Sequence, residues 1–539
     1  MRTMSSRRYF LKQSGLLVAA SSFSWPALAQ GDPVVAETTY GRVRGTEVSG
    51  IKIFKGIPYG ATTTGQNRFM PPIAPPKWSG VRDALAYGSS APQSEPGARR
   101  AASAIAVAAA GLPAESEDCL VLNVWTPAVH DNRKRPVMFW CHGGGFATGS
   151  GSSPVTEGLN LARRGDVVVV TINHRLNVLG FTSLEEAGGP EFASSGDVGM
   201  LDIVAALRWV RDNIAEFGGD PNTVMIFGQS GGGRKVSTLL AMPSAKGLFH
   251  RAIIESGATL RLVEPDQGTR VARELMTTLG IPKERVRDLQ SVPIDRMMSA
   301  YFEVVRRMNV DQMTQGFSPL ADGTEVHHPF HPTASTVSAD VPVMLGSTRT
   351  ELTSSAQEAD FSLTDTAMRG RVRQLIGNAA DSAIQVYQKA NPGATASDIY
   401  FLIASDYRYS GPVMKIAERR AALGKGPVYL YYFRWETPVD GGRLKSPHTI
   451  EIPFAFDNVQ AAKRLTGGGP EAMALADKVS DTWIAFAKTG NPNQPKMPRW
   501  PAFNAKERPT MVFNTESRVV NDPIREQRLT MWKALGYDS

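Results

Sequence analysis

The sequence predicts an α/β protein built on a large, mostly parallel sheet flanked by helices. Three observations carry that prediction. Val167-Val168-Val169-Val170-Thr171-Ile172 is an unbroken apolar and β-branched run, the pattern of a strand buried on both faces of a parallel sheet. Leu201, Val204, Leu207, Val210, Ile214 and Phe217 recur at helical spacing, and Gly218 supplies the stop. The apolar stretch Thr223-Val224-Met225-Ile226-Phe227 then runs through a glycine-rich turn into helix-compatible residues 234–241. Strand and helix alternate, as a parallel sheet requires.

The remaining elements fit around that frame. Residues 38–48 and 51–56 read as a small antiparallel hairpin layer ahead of the main sheet. Residues 136–140 form an apolar strand, residues 341–346 a short buried one, and residues 428–433 another before a Pro-punctuated loop. The Ala-rich residues 101–111 belong to a helical insertion, either a surface helix or a cover over a pocket. A chain of 539 residues often divides, but α/β architectures grow by insertion around one sheet. With 42% apolar and 20% charged residues, no repeat, no linker and no long charge run, residues 30–539 read as a single domain.

The first 29 residues read as an address. Ser6-Arg7-Arg8-Tyr9-Phe10-Leu11-Lys12 is a twin-arginine motif, followed by mildly apolar residues 14–25 and an A-x-A ending at Ala27-Leu28-Ala29. The apolar run is too short for a stable membrane span. Cleavage before Gln30 and delivery to a bacterial periplasm or beyond are expected. The leader holds four basic residues and no acid, so the net charge falls from +8 to +4 once it is removed. That balance, without a basic aromatic stripe, argues against a nucleic-acid partner.

The turn after residues 223–227 is Gly228-Gln229-Ser230-Gly231-Gly232. A G-x-S-x-G pentapeptide between strand and helix is a nucleophile elbow: the glycines let the chain turn so sharply that the hydroxyl stands clear of the sheet. Cys141-His142-Gly143-Gly144-Gly145-Phe146 follows the strand 136–140. Glycines there let backbone N–H groups approach a developing oxyanion. Gly144 and Gly145, with Gly231 after the serine, are therefore the expected oxyanion donors.

Ser230 then needs a base. In an α/β-hydrolase the order is Ser, acid, His. Of the eight histidines, His130, His142 and His174 come too early and His250 too soon after Ser230 to admit an acid strand. The group His327, His328 and His331 remains, and then His448 in the loop after residues 428–433; that late loop makes His448 the choice. Glu351 follows the strand 341–346 and is the expected acid, holding the imidazole in its tautomer.

Together these residues resemble the type-B carboxylesterases, the cholinesterase-like branch of the α/β-hydrolases, from about Glu37 to Phe513. Phe217-Gly218-Gly219-Asp220-Pro221-Asn222 through Ser230 matches the serine signature, and Glu117-Asp118-Cys119-Leu120-Val121-Leu122-Asn123 the second signature. Asn173-His174-Arg175-Leu176, Trp209-Val210-Arg211-Asp212-Asn213-Ile214 and Thr489-Gly490-Asn491-Pro492-Asn493 follow in family order. The resemblance implies a serine carboxylesterase with the triad Ser230, Glu351 and His448, acting on small-molecule esters without cofactor or metal. It also suggests Ser256 as a partner of the acid, and Phe317 and Leu320 as acyl-pocket candidates equally at home in the core. Amide, carbamate or lactone bonds are alternative targets, because fold and triad do not choose among them. Non-catalytic binding proteins on this fold are the other alternative; all three triad residues are retained here. Oligomeric state is open.

Two departures carry physical weight. The family usually has Glu before the nucleophile and Ala after it; here they are Gln229 and Gly231. Losing a carboxylate beside His448 is expected to give the base a lower pKa than in relatives that carry Glu there. No Trp stands in residues 89–116, where cholinesterases place a cation-binding ring, so a choline-ester specialist is not expected. Cys119 and Cys141, the only cysteines, read as buried strand thiols, with a mutual disulfide the minority alternative. His327 and His331 could hold a metal but lack a completing carboxylate or thiolate signature.

Overall fold

The computed structural model describes residues 34–96, 114–309 and 316–537. The leader and the Ala-rich residues 101–111 lie outside the described residues. Three strands open the chain: β1 (Val34–Thr38), β2 (Gly41–Val48) and β3 (Ile51–Pro58), with the short β4 (Val81–Asp83) beside β2. They are antiparallel along β1-β2-β3 and continue through β5 (Val121–Thr126) into the main sheet. Residues 38–48 are not one arm of the hairpin: the Thr39-Tyr40 turn separates two strands. The antiparallel region is the edge of the large sheet and not a detached layer.

The centre is parallel. β6 (Arg135–Cys141), β7 (Val168–Ile172), β8 (Gly219–Gln229), β9 (Arg251–Glu255), β10 (Val343–Thr348), β11 (Val428–Phe433) and β12 (Pro509–Phe513) stand in the order β7-β6-β8-β9-β10-β11-β12, every neighbouring pair parallel. The antiparallel β13 (Arg518–Asn521) closes the far edge. Side chains alternate between the two faces. Val137 and Phe139 of β6 enter one core cluster, Met138 and Trp140 the other. Val168 and Val170 divide from Val169 in the same way. Both faces are covered, which is why these strands read as continuous apolar runs.

Several motifs singled out in the sequence are braces around this sheet. Arg175 forms a bidentate pair with Asp202, at 2.6 and 2.9 Å, and also donates to the carbonyl of Met70 at 2.7 Å. Arg68 forks onto Glu117 at 2.6 and 2.8 Å. All four side chains are buried. Such pairs act as fixed geometry more than as net stabilisation, though breaking one strands a buried charge. Asn173 receives the N–H of Gly151 and donates to Ser89, tying the strand ends to the loops above them.

Cys141 lies in β6, while Cys119 precedes β5 by two residues rather than lying in a strand. Both are buried free thiols, and burial raises the pKa of each. Among the described residues, no helix is long and apolar enough to cross a membrane.

Candidate active site

The predicted site residues converge on one edge of the parallel sheet, at the carboxyl ends of its strands. Gly143–Gly145 follow β6, Ser230 follows β8, Glu351 follows β10 and His448 lies in the loop after β11. This rim is where open α/β sheets place their ligands.

Ser230 is held in a strained backbone conformation, φ 57° and ψ −120°, which a non-glycine residue adopts only when its surroundings dictate it. The surroundings do. Ser230 N–H donates to Glu255 O at 2.8 Å on one side, and the helix Gly231–Leu239 begins at the next residue on the other. A Cβ on Gly228 would lie 2.5 Å from the backbone of Gly232, and one on Gly232 would lie 2.0 Å from the carbonyl of Cys141. The helix thus starts at Gly231, three residues earlier than expected, because Gly231, Gly232 and Gly233 form its first turn.

The glycine loop folds against this elbow. Gly144 and Gly145 have φ of 88° and 63°, open to glycine at little cost. Gly144 O accepts from Thr148 N–H at 3.0 Å, which fixes the turn. The position of a Cβ on Gly231 would be 2.4 Å from Gly145 N. Gly145 and Gly231, two of the expected oxyanion donors, therefore lie against each other.

Glu351 and His448 are laced together from their backbones outward. His448 N–H donates to Glu351 O at 3.2 Å, Thr350 N–H to Ser446 O at 3.0 Å, and Ser446 N–H to Thr350 Oγ1 at 2.9 Å. The side chains follow: His448 Nδ1 lies 2.5 Å from Glu351 Oε2, and Glu351 Oε1 accepts from Thr348 N–H at 2.8 Å. Glu351 is fully buried, and the ring of Tyr409 packs 5.0 Å from the imidazole. Burial opposes a charge on His448, but the charge and hydrogen bond of Glu351, with Glu451 behind it, lift its pKa above 6.5.

The Gln229 amide nitrogen lies 3.2 Å from His448 Nδ1 and 3.4 Å from Nε2. Among the described residues no hydrogen bond joins Ser230 Oγ to His448. Because Nδ1 is engaged by Glu351, only Nε2 is left for the serine, and Gln229 stands beside it.

Other candidates fall elsewhere. Ser256 Oγ donates to Glu451 Oε1 at 3.1 Å, not to Glu351, correcting the partner suggested for it. Phe317 packs edge-on against Tyr301 at 5.0 Å, and Leu320 abuts Gly196 and Gly268; both are buried core contacts. His328 accepts from Leu262 N–H and faces Glu264 at 3.2 Å.

The sequence profile of the carboxylesterase family matches residues 32–532. The chain belongs to that family. It is 34% identical over 509 residues to the para-nitrobenzyl esterase of Bacillus subtilis, covering 93% of this chain and 99% of that protein. It is 33% identical to the phenmedipham hydrolase of Pseudarthrobacter oxydans, covering 92% and 98%. Among solved structures, a Geobacillus stearothermophilus carboxylesterase superposes with a TM-score of 0.79 at 36% identity, over 92% of this chain and 99% of that one. A Clostridium hathewayi esterase reaches 0.81 at 32% identity, over 94% and 99%. The fold is that of the α/β-hydrolases and the protein is a carboxylic ester hydrolase.

In this carboxylesterase two buried acids escaped the sequence reading. Glu451, three residues after His448, and Glu255, which ends β9, are fully buried. Burial first and neighbouring carboxylates second raise both, Glu255 to about 8. Glu451 Oε1 accepts from Ser256 Oγ and Glu255 Oε1 from Trp483 Nε1, and the second oxygen of each has no partner among the described residues. The only sequence signal was a carboxylate set between apolar residues, as in Ile450-Glu451-Ile452. Glu451 adds to the larger effect of Glu351 in raising the His448 pKa, although position 229 carries no carboxylate. Gln229→Glu would add a further anion. The imidazolium is then favoured, and the acid limb of kcat/KM moves to higher pH; an unmoved limb contradicts the assigned role of residue 229.

Proposed function

We propose that Ser230 is the nucleophile, His448 the general base and Glu351 its orienting acid, with Gly144, Gly145 and Gly231 N–H binding the oxyanion. The observation that carries this reading is the buried 2.5 Å contact between His448 and Glu351, at the rim where the strained Ser230 turn ends β8.

His448 Nε2 takes the proton of Ser230 as Oγ adds to the ester carbonyl. Glu351 stabilises the imidazolium, and the glycine N–H groups take the charge that builds on the carbonyl oxygen. His448 Nε2–H then protonates the departing alcohol. Water, deprotonated by the same nitrogen, releases the carboxylic acid and restores Ser230. Each step uses groups of this chain alone.

A panel of p-nitrophenyl esters of increasing acyl length against the matched p-nitroanilides tests the bond class. Ester turnover with at least about 100-fold lower kcat/KM on the anilides is expected; anilides matching the esters would overturn it. The leader reading supports export by the twin-arginine route to the periplasm or beyond. Intact-mass measurement of the exported protein should find Gln30 first, and retention of Arg2 would exclude it.

A further inference from the structure

Lys235 lies on the helix that follows the nucleophile, and its side chain has no exposed surface. Its Nζ donates to the carbonyl oxygen of His142 at 2.9 Å. His142 is the residue from which the glycine loop departs. Among the described residues no carboxylate stands within ion-pair distance of this ammonium. Its surroundings are the Phe146 ring at 5.8 Å, the Cys141 thiol of β6, and the imidazoles of His142 and His174, with Arg175 beyond them. The two imidazoles stack at 5.0 Å, and burial together with Lys235 holds both well below the usual histidine pKa. Burial lowers Lys235 to about 7. A surface-type residue has been placed in the interior, with the loop carbonyl as its acceptor.

The second observation comes from the same face of the helix. Gly231 and Lys235 are four residues apart, one turn above the other. A Cβ on Gly231 would lie 2.2 Å from Gly145 O, 2.4 Å from its N and 2.5 Å from its Cα. The loop thus sits closer to the elbow than alanine, the residue usual in the family, would allow. One end of the loop is drawn in by Lys235 at His142, and the other is admitted by the missing side chain at Gly231.

We propose that Lys235 is a positioning residue that clamps the glycine loop through His142 O, and that Gly231 supplies the space the clamped loop requires. The inference rests on the assignment of Gly144, Gly145 and Gly231 as oxyanion donors. Donation to the His142 carbonyl fixes the peptide leading into Gly143, and so the direction of the N–H groups two and three residues on. Because that alignment matters most when charge develops on the substrate oxygen, its loss acts on kcat and not on ground-state binding.

The test uses Lys235→Met, Lys235→Gln, Gly231→Ala and the Gly231→Ala/Lys235→Met double variant, in the full mature enzyme. For p-nitrophenyl butyrate, Lys235→Met should lower kcat by about 10- to 100-fold with KM within about threefold. Affinity for a trifluoromethyl ketone, whose adduct oxygen occupies the hole, should fall by a similar factor. Lys235→Gln keeps a donor without the charge and should retain more kcat than Met; it carries the same comparison if the Met variant is insoluble. Gly231→Ala should lower kcat alone, and the double variant should be no worse than the poorer single, because an unclamped loop can step back from the methyl. Unchanged kcat and ketone affinity in both Lys235 variants would overturn the clamp, and additive losses would overturn its coupling to Gly231. A crystal structure of the parent ketone adduct separates the two levels. An adduct oxygen away from the three glycine N–H groups removes the underlying assignment, whereas one seated there beside inert Lys235 variants removes the clamp alone.

Discussion

Ser230→Ala is expected to lower kcat on p-nitrophenyl esters by about 10⁵-fold or more, with far-UV circular dichroism and the unfolding midpoint essentially unchanged. The size follows from the role: without the hydroxyl no acyl-enzyme forms, and the remaining glycine donors and binding contacts recover only a small part of the rate. The fold is spared because alanine meets the same backbone conditions as serine at φ 57°, and among the described residues no hydrogen bond uses the Ser230 side chain as an anchor. Steady-state kinetics on freshly purified variant, with circular dichroism alongside, reads both halves. Activity within about tenfold of the parent would remove Ser230 from the mechanism.

The second large effect is at the acid. Glu351→Gln should cost about 10⁴-fold in kcat. Glu351 Oε1 is committed to Thr348 N–H at 2.8 Å, so in the variant the amide oxygen keeps that bond and the NH2 faces His448 Nδ1. A donor facing Nδ1 forces the proton onto Nε2, the nitrogen that must accept from Ser230. The sign of the pH effect is also fixed. Glu351 is the main group that offsets burial and raises the His448 pKa; losing its charge favours the neutral imidazole, so the acid limb of the residual activity moves to lower pH. Glu451 remains behind the ring and limits the size of that displacement. A Glu351→Gln enzyme keeping more than about a tenth of parent kcat would contradict the assigned role.

What could be read from the chain follows from what the chemistry demands of local sequence. The elbow and the glycine loop were legible because each needs residues without side chains at fixed spacing, and the contacts at Gly228, Gly232 and Gly144 show why nothing larger fits. The strand Val428–Phe433 was legible at its true limits, since Gly426-Pro427 precede an unbroken apolar run and Arg434 ends it. β8 was read short: Asp220, Pro221 and Asn222 disguise its start at Gly219, where pairing with β6 is irregular between Arg135 and Val137. The acid strand runs two residues later than expected, from Val343 to Thr348.

Contacts across the fold were not legible in the same way. Ser256 and Glu451 are 195 positions apart, and no local pattern says that the serine hydroxyl serves that carboxylate and not Glu351. Nothing in the local sequence of residues 234–241 marks Lys235 as buried or as bonded to His142. Position 229 was visible in the sequence, whereas the placement of Glu451 near His448 is set only by the folded chain.

Active-site labelling tests the central claim most directly. The mature enzyme is treated with a p-nitrophenyl phosphonate, released p-nitrophenol is counted, and the tryptic digest is mapped by mass. The account predicts one equivalent released per chain and a single adduct on Ser230, in the peptide spanning residues 212–234, formed far more slowly in His448→Ala. An adduct on another residue, or full ester hydrolysis surviving complete modification of Ser230, would contradict it.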